Sequence, residues 1–370
     1  MNYMELDTPA MLIDREIMMD NIRFMQDYAD RNHVALRPHT KTHKIPELAL
    51  LQQKEGAKGI TVAKVGEAEV MAANGLRDIF IANEIVGDIK LQRIRRLMEQ
   101  GVNLSFGLDS IAQARMIQRN FAGAEKPAQV LVEIEVGENR SGVIEKEDFR
   151  DLLLYVKESC PDIHFKGIFS HDGSSYNAAD LEACREIDLT AQKRTLEFAA
   201  IAEELGMKPE TVSIGSTPSL MHDFPILPGV TELRPGTYIL MDASQANAYG
   251  SQDRCAATVL ATVMSKPTPE RVILDVGAKG ITMQTRNQGI CAVQGMGNIK
   301  QFPGTTIYDV YDEHAIIYSK DMHDHVEIGD KVEIVPVHIC PVMNLHEKAY
   351  LVSKGEVVKE LPVLCRGRLQ

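Results

Sequence analysis

Ala35-Leu36-Arg37-Pro38-His39 reads as a short strand, and it runs directly into Thr40-Lys41-Thr42-His43-Lys44. The turn after this strand decides between two folds. A doubly wound open sheet wants a glycine-rich turn here, so that backbone can approach a pyrophosphate. This turn has no glycine. It packs an arginine, two histidines and two lysines into residues 37–44. That pattern favours a (β/α)8 barrel, in which chemistry gathers at the carboxyl ends of the strands.

The pattern continues outward as the barrel requires. Short apolar or β-branched runs recur at 35–39, 59–63, 79–83, 104–109, 130–136, 165–171, 212–216 and 231–234, bounded by Gly, Pro or Asn. Amphipathic stretches separate them at 45–54, 66–73, 88–99, 110–120, 146–159 and 179–205, with another at 15–31 before the first strand. Asp88 and Asp109-Ser110 are the expected N-caps. From Cys255 onward helical periodicity is scarce. Segments 257–263, 271–276, 315–318, 331–337 and 349–352 read as strands between turns at Pro267, Pro303-Gly304 and Gly329-Asp330. The expected fold is α/β: a TIM-type barrel over 10–245 with an additional C-terminal all-β domain over 246–370, joined by residues 1–9.

Composition bounds the function. The 370 residues hold 40 Lys plus Arg against 52 Asp plus Glu, a formal charge of −12. A general nucleic-acid binder needs a basic footprint, so that class is excluded. No apolar run approaches the ~18–20 residues of a membrane span, so no membrane partner is expected. The N-terminus is acidic and lacks a basic-then-apolar leader. The six cysteines are scattered with no CxxC pair, which reads as reduced thiols in a cytoplasmic chain.

Lys41 among neighbouring cations suits a Schiff-base amine, although a solvated basic loop would carry the same residues. Arg140 sits between Gly137 and Gly142, where it can reach an anionic group or lie in a surface turn. His171, Asp172 and Tyr176 are general acid–base material, or loop hydrogen-bonders. Gly215 admits an anion close to the backbone, Ser216 and Thr217 offer hydroxyls, and Pro218 suits a first helical turn. Arg234 and Tyr238 follow in Glu232-Leu233-Arg234-Pro235-Gly236-Thr237-Tyr238. A lysine amine, a phosphate cradle and inward arginines together suggest pyridoxal 5'-phosphate. In Val337-His338-Ile339-Cys340-Pro341, a strand would turn His338 and Cys340 to one face, where imidazole and thiolate can share an ion. Zinc fits this pair first, with manganese the alternative divalent metal. Water, substrate or a distant residue must complete the shell. His323-Asp324-His325 reads as solvated.

These stretches resemble the D-serine dehydratase / D-threonine aldolase family, within the alanine-racemase-like (fold type III) pyridoxal-phosphate enzymes. Those carrying the likeness are Asp7–Ala10 (Asp-Thr-Pro-Ala), 36–44, 63–70, 136–143, 215–218, 232–236 and 338–346. They run in family order over nearly the whole chain. The resemblance implies a head-to-tail homodimer with interfacial active sites, to which Asp275 and Gly277 would contribute. It implies that Lys41 holds the cofactor, that Arg140 approaches its ring, that Gly215 and Ser216 meet its phosphate and that Arg234 lies near its pyridine nitrogen. His338 and Cys340 match the family's metal pair. His-x-Cys is the dehydratase pattern, whereas His-x-Asp goes with the aldolases.

The resulting expectation is a lyase on D-β-hydroxy amino acids, with Lys41, His171 and Tyr176 as catalytic groups. Dehydration of D-serine or D-threonine to a keto acid and ammonia comes first. Retro-aldol cleavage to glycine and an aldehyde is the alternative. An amino-acid racemase is a further alternative, which the metal pair counts against. The appended β domain counts against a non-catalytic cofactor carrier.

Overall fold

The computed structural model describes all 370 residues. The chain opens with strand β1 (Ala10–Asp14) and helix α1 (Arg15–Arg31). Eight strands then alternate with helices. They are β2 (Ala35–Leu36), α2 (Pro46–Lys54), β3 (Ile60–Val62), α3 (Val65–Ala73), β4 (Asp78–Glu84) and α4 (Asp88–Glu99), then β5 (Asn103–Leu108), α5 (Ile111–Phe121), β6 (Ala128–Ile134), α6 (Lys146–Ser159), β7 (Ile163–Ser170), α7 (Leu181–Glu204), β8 (Thr211–Ile214), α8 (Thr217–Leu220) and β9 (Glu232–Leu233).

All eight strands are parallel, in the order β2-β9-β8-β7-β6-β5-β4-β3. The two ends of that sheet meet. Lys58 N–H donates to Leu36 C=O, Thr61 N–H to Pro38 C=O and Thr40 N–H to Thr61 C=O, at 2.8–2.9 Å. Parallel strands covered by helices are apolar on both faces, and β5 and β6 are buried almost throughout. Phe80, Leu131 and Phe169 pack together inside the barrel. Each such burial stabilises by about 1.5–3 kcal/mol.

The remaining elements are α9 (Ala243–Tyr249), β10 (Ala257–Thr268), β11 (Arg271–Leu274), α10 (Ala278–Ile281), β12 (Gly297–Ile299), β13 (Asp309–Val310), β14 (Ala315–Tyr318), α11 (Lys320–His325), β15 (Lys331–Pro336), α12 (Ile339–Met343), β16 (Lys348–Ser353) and β17 (Glu356–Pro362). Their sheet runs β13-β14-β11-β10-β1-β16-β17, with β15 bridging β10 and β12. Pairing is antiparallel except where β1 lies beside β16.

Two compact units divide the chain. Met25–Lys41, Pro46–Gly236 and Gly367–Gln370 form the barrel unit; Met1–Phe24, Thr42–Ile45 and Thr237–Arg366 form the β unit. Residues 10–24 and 237–245 therefore lie with the β unit, although helical periodicity groups them with the barrel. The reason is hydrogen bonding. β1 is held antiparallel to β10 and parallel to β16, and Leu240 C=O accepts from Ala256 N–H at 2.7 Å.

Two expected caps differ. Gly87, at φ 102, is the N-cap of α4 and Asp88 is the first helical residue. Ser110 caps α5 by position without a side-chain hydrogen bond, and Asp109 instead accepts Gly142 N–H. All six cysteines are free thiols, and only Cys340 is not fully buried. No helix is long and apolar enough to cross a membrane.

Candidate active site

The carboxyl ends of the barrel strands gather charged side chains around Lys41. Of the five basic residues at 37–44, only His39 and Lys41 belong to this end. Arg37 is buried on β2 and holds two carboxylates, Glu232 Oε2 at 2.8 Å and Asp78 Oδ1 at 2.6 Å. These charges raise its pKa against the cost of burial. It is a structural ion triad. His43 and Lys44 are buried and lie in the β unit.

His39 is buried, and burial together with Lys41, Arg234 and His171 pushes its pKa well down. It is thus a neutral imidazole, and its Nδ1 accepts the Lys41 backbone N–H at 3.4 Å. Arg234 is fully enclosed. It donates to Ser213 Oγ and to Ser170 C=O, both at 2.7 Å, and its Cζ lies 5.2 Å from the Phe169 ring centroid. Burial brings its pKa down to about 10.

Glu133, at the end of β6, accepts from Ser141 Oγ at 2.7 Å and faces Arg140 at 3.5 Å. Beside it, Glu84 on β4 is pushed up to about 9, by burial first and then by Glu133. Glu84 therefore holds the proton and Glu133 the charge. Glu84 Oε1 is buried without a hydrogen-bond partner, a polar atom left for a bound group. Neither carboxyl stood out in the sequence.

His171 and Tyr176 come together as expected, with ring centroids 6.4 Å apart and planes 27° apart. Asp172 does not join them. It is buried and accepts hydroxyls from Ser216, at 3.0 Å, and from Ser219. Ser216 Oγ bonds Asp172, and the Ser216 backbone N–H is a second group it can offer an anion. Gly215 has φ 133, and a Cβ there would meet Leu220 Cδ1 at 2.9 Å and Arg234 N at 3.2 Å. Only glycine fits this cradle. Thr217 opens α8 and is buried.

Lysine, neutral imidazole, buried arginine and a Cβ-free cradle suit the aldehyde, ring and phosphate of pyridoxal 5'-phosphate. Tyr238 is fully buried and lies in the β unit.

The β unit carries the His338–Cys340 pair. His338 and Cys340 converge, but not as neighbours on a strand. His338 is the N-cap of α12 and Cys340 lies in its first turn. His338 Nδ1 lies 3.0 Å from Asp242 Oδ2, and Asp242 is fully buried. Asp242 also accepts Ile339 N–H, Gln245 N–H and the Ser244 hydroxyl. Burial alone would raise its pKa, yet His338 and these donors hold it low.

Burial disfavours charge on His338, but Cys340 and Asp242 outweigh it and lift its pKa to about 10. Cys340 Sγ donates to Thr42 Oγ1 at 3.3 Å, and Thr237 Oγ1 lies 3.7 Å away. With Nδ1 tied to Asp242, Nε2 is the atom free to ligate, and the thiol is the second donor. An oriented imidazole with a thiol fits a zinc-type site. The chain forms no group of three or more His, Cys, Asp or Glu side chains that could by itself hold a metal ion.

His346 points elsewhere and pairs with Gly280 C=O at 2.9 Å. His323 and His325 sit on α11, bound to neighbouring Asp324 and Asp321. Asp275 takes the Thr8 hydroxyl and Thr262 N–H of its own chain.

A closed parallel barrel with a lysine at its mouth, joined to a β domain bearing a carboxylate-oriented His and Cys, defines a fold type shared with the alanine racemases. The chain belongs to that family: residues 13–244 match "Alanine racemase, N-terminal domain", and residues 256–352 match "Putative serine dehydratase domain". It is 35% identical to D-threonine aldolase of Arthrobacter sp, over 98% of this chain and 93% of that protein. It is 31% identical to D-threo-3-hydroxyaspartate dehydratase of Delftia sp., over 90% and 91%. Among solved structures, D-threonine aldolase from Filomicrobium marinum superposes with a TM-score of 0.89 at 30% identity, covering 100% of this chain and 98% of that one. The Delftia dehydratase gives 0.90 at 28%, covering 98% of each chain. A variant of that dehydratase lacking one cysteine was solved in the metal-free form, and another variant replaces a histidine two residues earlier.

Proposed function

We propose that this protein is a pyridoxal-phosphate- and metal-dependent lyase that dehydrates D-β-hydroxy amino acids to a keto acid and ammonia. The observation that carries the reading is the His338-x-Cys340 pair. Its residue types and spacing match the histidine and cysteine replaced in two variants of D-threo-3-hydroxyaspartate dehydratase, the cysteine variant having been solved in the metal-free form. Asp242 supplies the orienting carboxylate such a site needs. Retro-aldol cleavage is the second reading, favoured by the 35% identity to a D-threonine aldolase.

Bound to Lys41, pyridoxal phosphate supplies a sink for negative charge at the substrate Cα. A divalent ion on His338 and Cys340 supplies a Lewis acid for the β-hydroxyl. Zinc suits imidazole and thiolate, with manganese the alternative. The chain's own groups do the rest. The Lys41 amine takes the Cα proton. Neutral His39 fixes the Lys41 backbone. The Gly215 and Ser216 backbone would hold the phosphate. Arg140 and the buried Arg234 would supply positive charge toward the ring, and a cation beside the ring nitrogen would disfavour its protonation. His171 and Tyr176 serve as the acid–base pair, moving a proton to or from the departing group. Within the β unit, Thr42 accepts from Cys340 and helps to hold the thiol.

The assembly proposed is a homodimer, supported by exposed Tyr308, Tyr311 and Met283 in the β unit. Six free thiols fit a reducing, cytoplasmic setting.

The test is a product assay on cofactor-loaded protein with D-serine and D-threonine, with and without EDTA. Keto acid and ammonia, lost on chelation, are expected. Glycine and acetaldehyde from D-threonine would move the assignment to aldolase. Activity unaffected by thorough chelation would remove the metal and return the racemase reading.

A further inference from the structure

Glu138 has no part in the reaction described above, yet the barrel mouth is shaped around its carboxylate. Glu138 Oε2 lies 2.8 Å from His171 Nδ1. The contact joins the loop after β6 to the end of β7, 33 residues further along the chain. Both side chains are largely buried, at 25% and 20% exposure.

Four features hold the carboxylate there. Its loop is pinned on either side, because Glu135 Oε1 accepts both Gly137 N–H and Asn139 N–H, at 2.7 and 2.8 Å. Gly137 and Asn139 both take left-handed backbone, φ 113 and 58, which turns Glu138 out of the strand direction. On the opposite segment Gly173 leaves the space empty, since a Cβ there would come within 2.2 Å of Glu138 Oε1. Arg140 NH1 takes the other carboxylate oxygen at 3.3 Å. Burial works against the charge, but His171, Arg140 and Lys41 keep the carboxyl below its usual range. Glu138 is therefore an anion that accepts and does not donate.

We propose that Glu138 is the positioning residue of His171. An ionised carboxylate on Nδ1 requires that nitrogen to carry the proton, which fixes the ring's tautomer and plane. Nε2 is then left as the lone-pair atom that takes a proton from substrate and returns it. A surface glutamate near a histidine would need neither the glycine opposite nor the pinned loop. The proposal rests on the reading of His171 as an acid–base group. It adds which ring nitrogen acts and what sets it.

The experiment is nitrogen NMR of the imidazoles in histidine-labelled, cofactor- and metal-loaded protein, with His171→Asn used to assign the signal. Turnover of D-threonine is measured in parallel for wild type, Glu138→Ala, Glu138→Gln and His171→Asn. The wild-type His171 signal is expected to be the Nδ1-protonated tautomer. Glu138→Ala should lose that single tautomer and about 10²-fold in kcat, with KM little changed. Glu138→Gln, whose amide oxygen still accepts the Nδ1 proton, should keep the tautomer and recover part of the rate. An Nε2-protonated wild-type ring overturns the proposal without any variant having to fold. So does an unchanged tautomer or an unchanged kcat in Glu138→Ala. Full activity in His171→Asn would instead overturn the acid–base reading of His171, while a tautomer change in Glu138→Ala would leave the positioning contact standing.

Discussion

Asp242 and His338 lie 96 residues apart in sequence and 3.0 Å apart in space, joined through His338 Nδ1. Asp242 is also the N-cap of α9, so one buried carboxylate closes a helix and aims an imidazole. An Asp242→Asn protein keeps an acceptor for the helix cap but loses the charge that orients His338. Its metal affinity should fall about 10- to 100-fold, and excess metal should restore activity. Titration against a chromogenic chelator measures this. Equal affinity in the two proteins would show that His338 needs no orienting charge.

The same contact makes metal binding pH-dependent. Without metal, His338 is lifted to about 10 and keeps its proton through the neutral range. Its contribution to folding is complete below the ordinary imidazole pKa and is lost as pH rises through about 10. A metal must displace that proton. Ligation also takes the proton from the Cys340 thiol, so two protons leave and apparent affinity should climb by up to about a hundredfold per pH unit in the neutral range. Isothermal titration in buffers of different protonation enthalpy would count the protons released. A flat affinity would refute the charged resting state.

Lys41→Ala should abolish borohydride-trapped cofactor and lower turnover by about 10³-fold or more, because the variant loses both the Schiff-base amine and the group that takes the Cα proton. Added methylamine should recover part of the rate. Covalent cofactor persisting in this variant, read by mass spectrometry after reduction, would move the attachment to another lysine.

Much of this was legible before any coordinates. Periodicity located α1, α4 and α6 to the residue, because each buries one apolar stripe against the sheet. The absence of glycine after β2 chose the barrel. The boundary was not legible, because β1 follows no pattern that distinguishes a strand of one sheet from a strand of the other; only its partners β10 and β16 do so. Site residues that carry a chemical signature alone, such as Lys41 and Cys340, could be singled out from the sequence. Residues that act by holding another could not. Asp242 could be read as a helix cap, but nothing local links it to His338. Arg37 looked like part of the basic cluster until Glu232 and Asp78 were seen on it.

Gly215→Ala tests the cradle. The substitution forces a Cβ onto backbone at φ 133 and against Leu220 and the Arg234 amide. Strain of about 1–3 kcal/mol is expected, seen as a lower melting temperature. Cofactor affinity should weaken more than stability does, because the displaced backbone is the part that would meet the phosphate. Fluorescence titration with pyridoxal phosphate and with unphosphorylated pyridoxal separates the two effects. If both ligands weaken equally, the phosphate lies elsewhere.

Cys340→Asp addresses the choice between dehydration and aldol cleavage. Replacing thiolate by carboxylate makes the donor set harder, which favours manganese over zinc. Asp242 still orients His338, and Thr42 and Thr237 still face the new side chain with hydroxyls. The variant should therefore retain an activity that manganese restores better than zinc after chelation. If the ligand also selects the bond, glycine and acetaldehyde should rise relative to keto acid with D-threonine, measured by chromatography of the products. A swapped metal preference with an unchanged product ratio would mean that Cys340 selects the ion, while the groups around Lys41 decide which bond breaks.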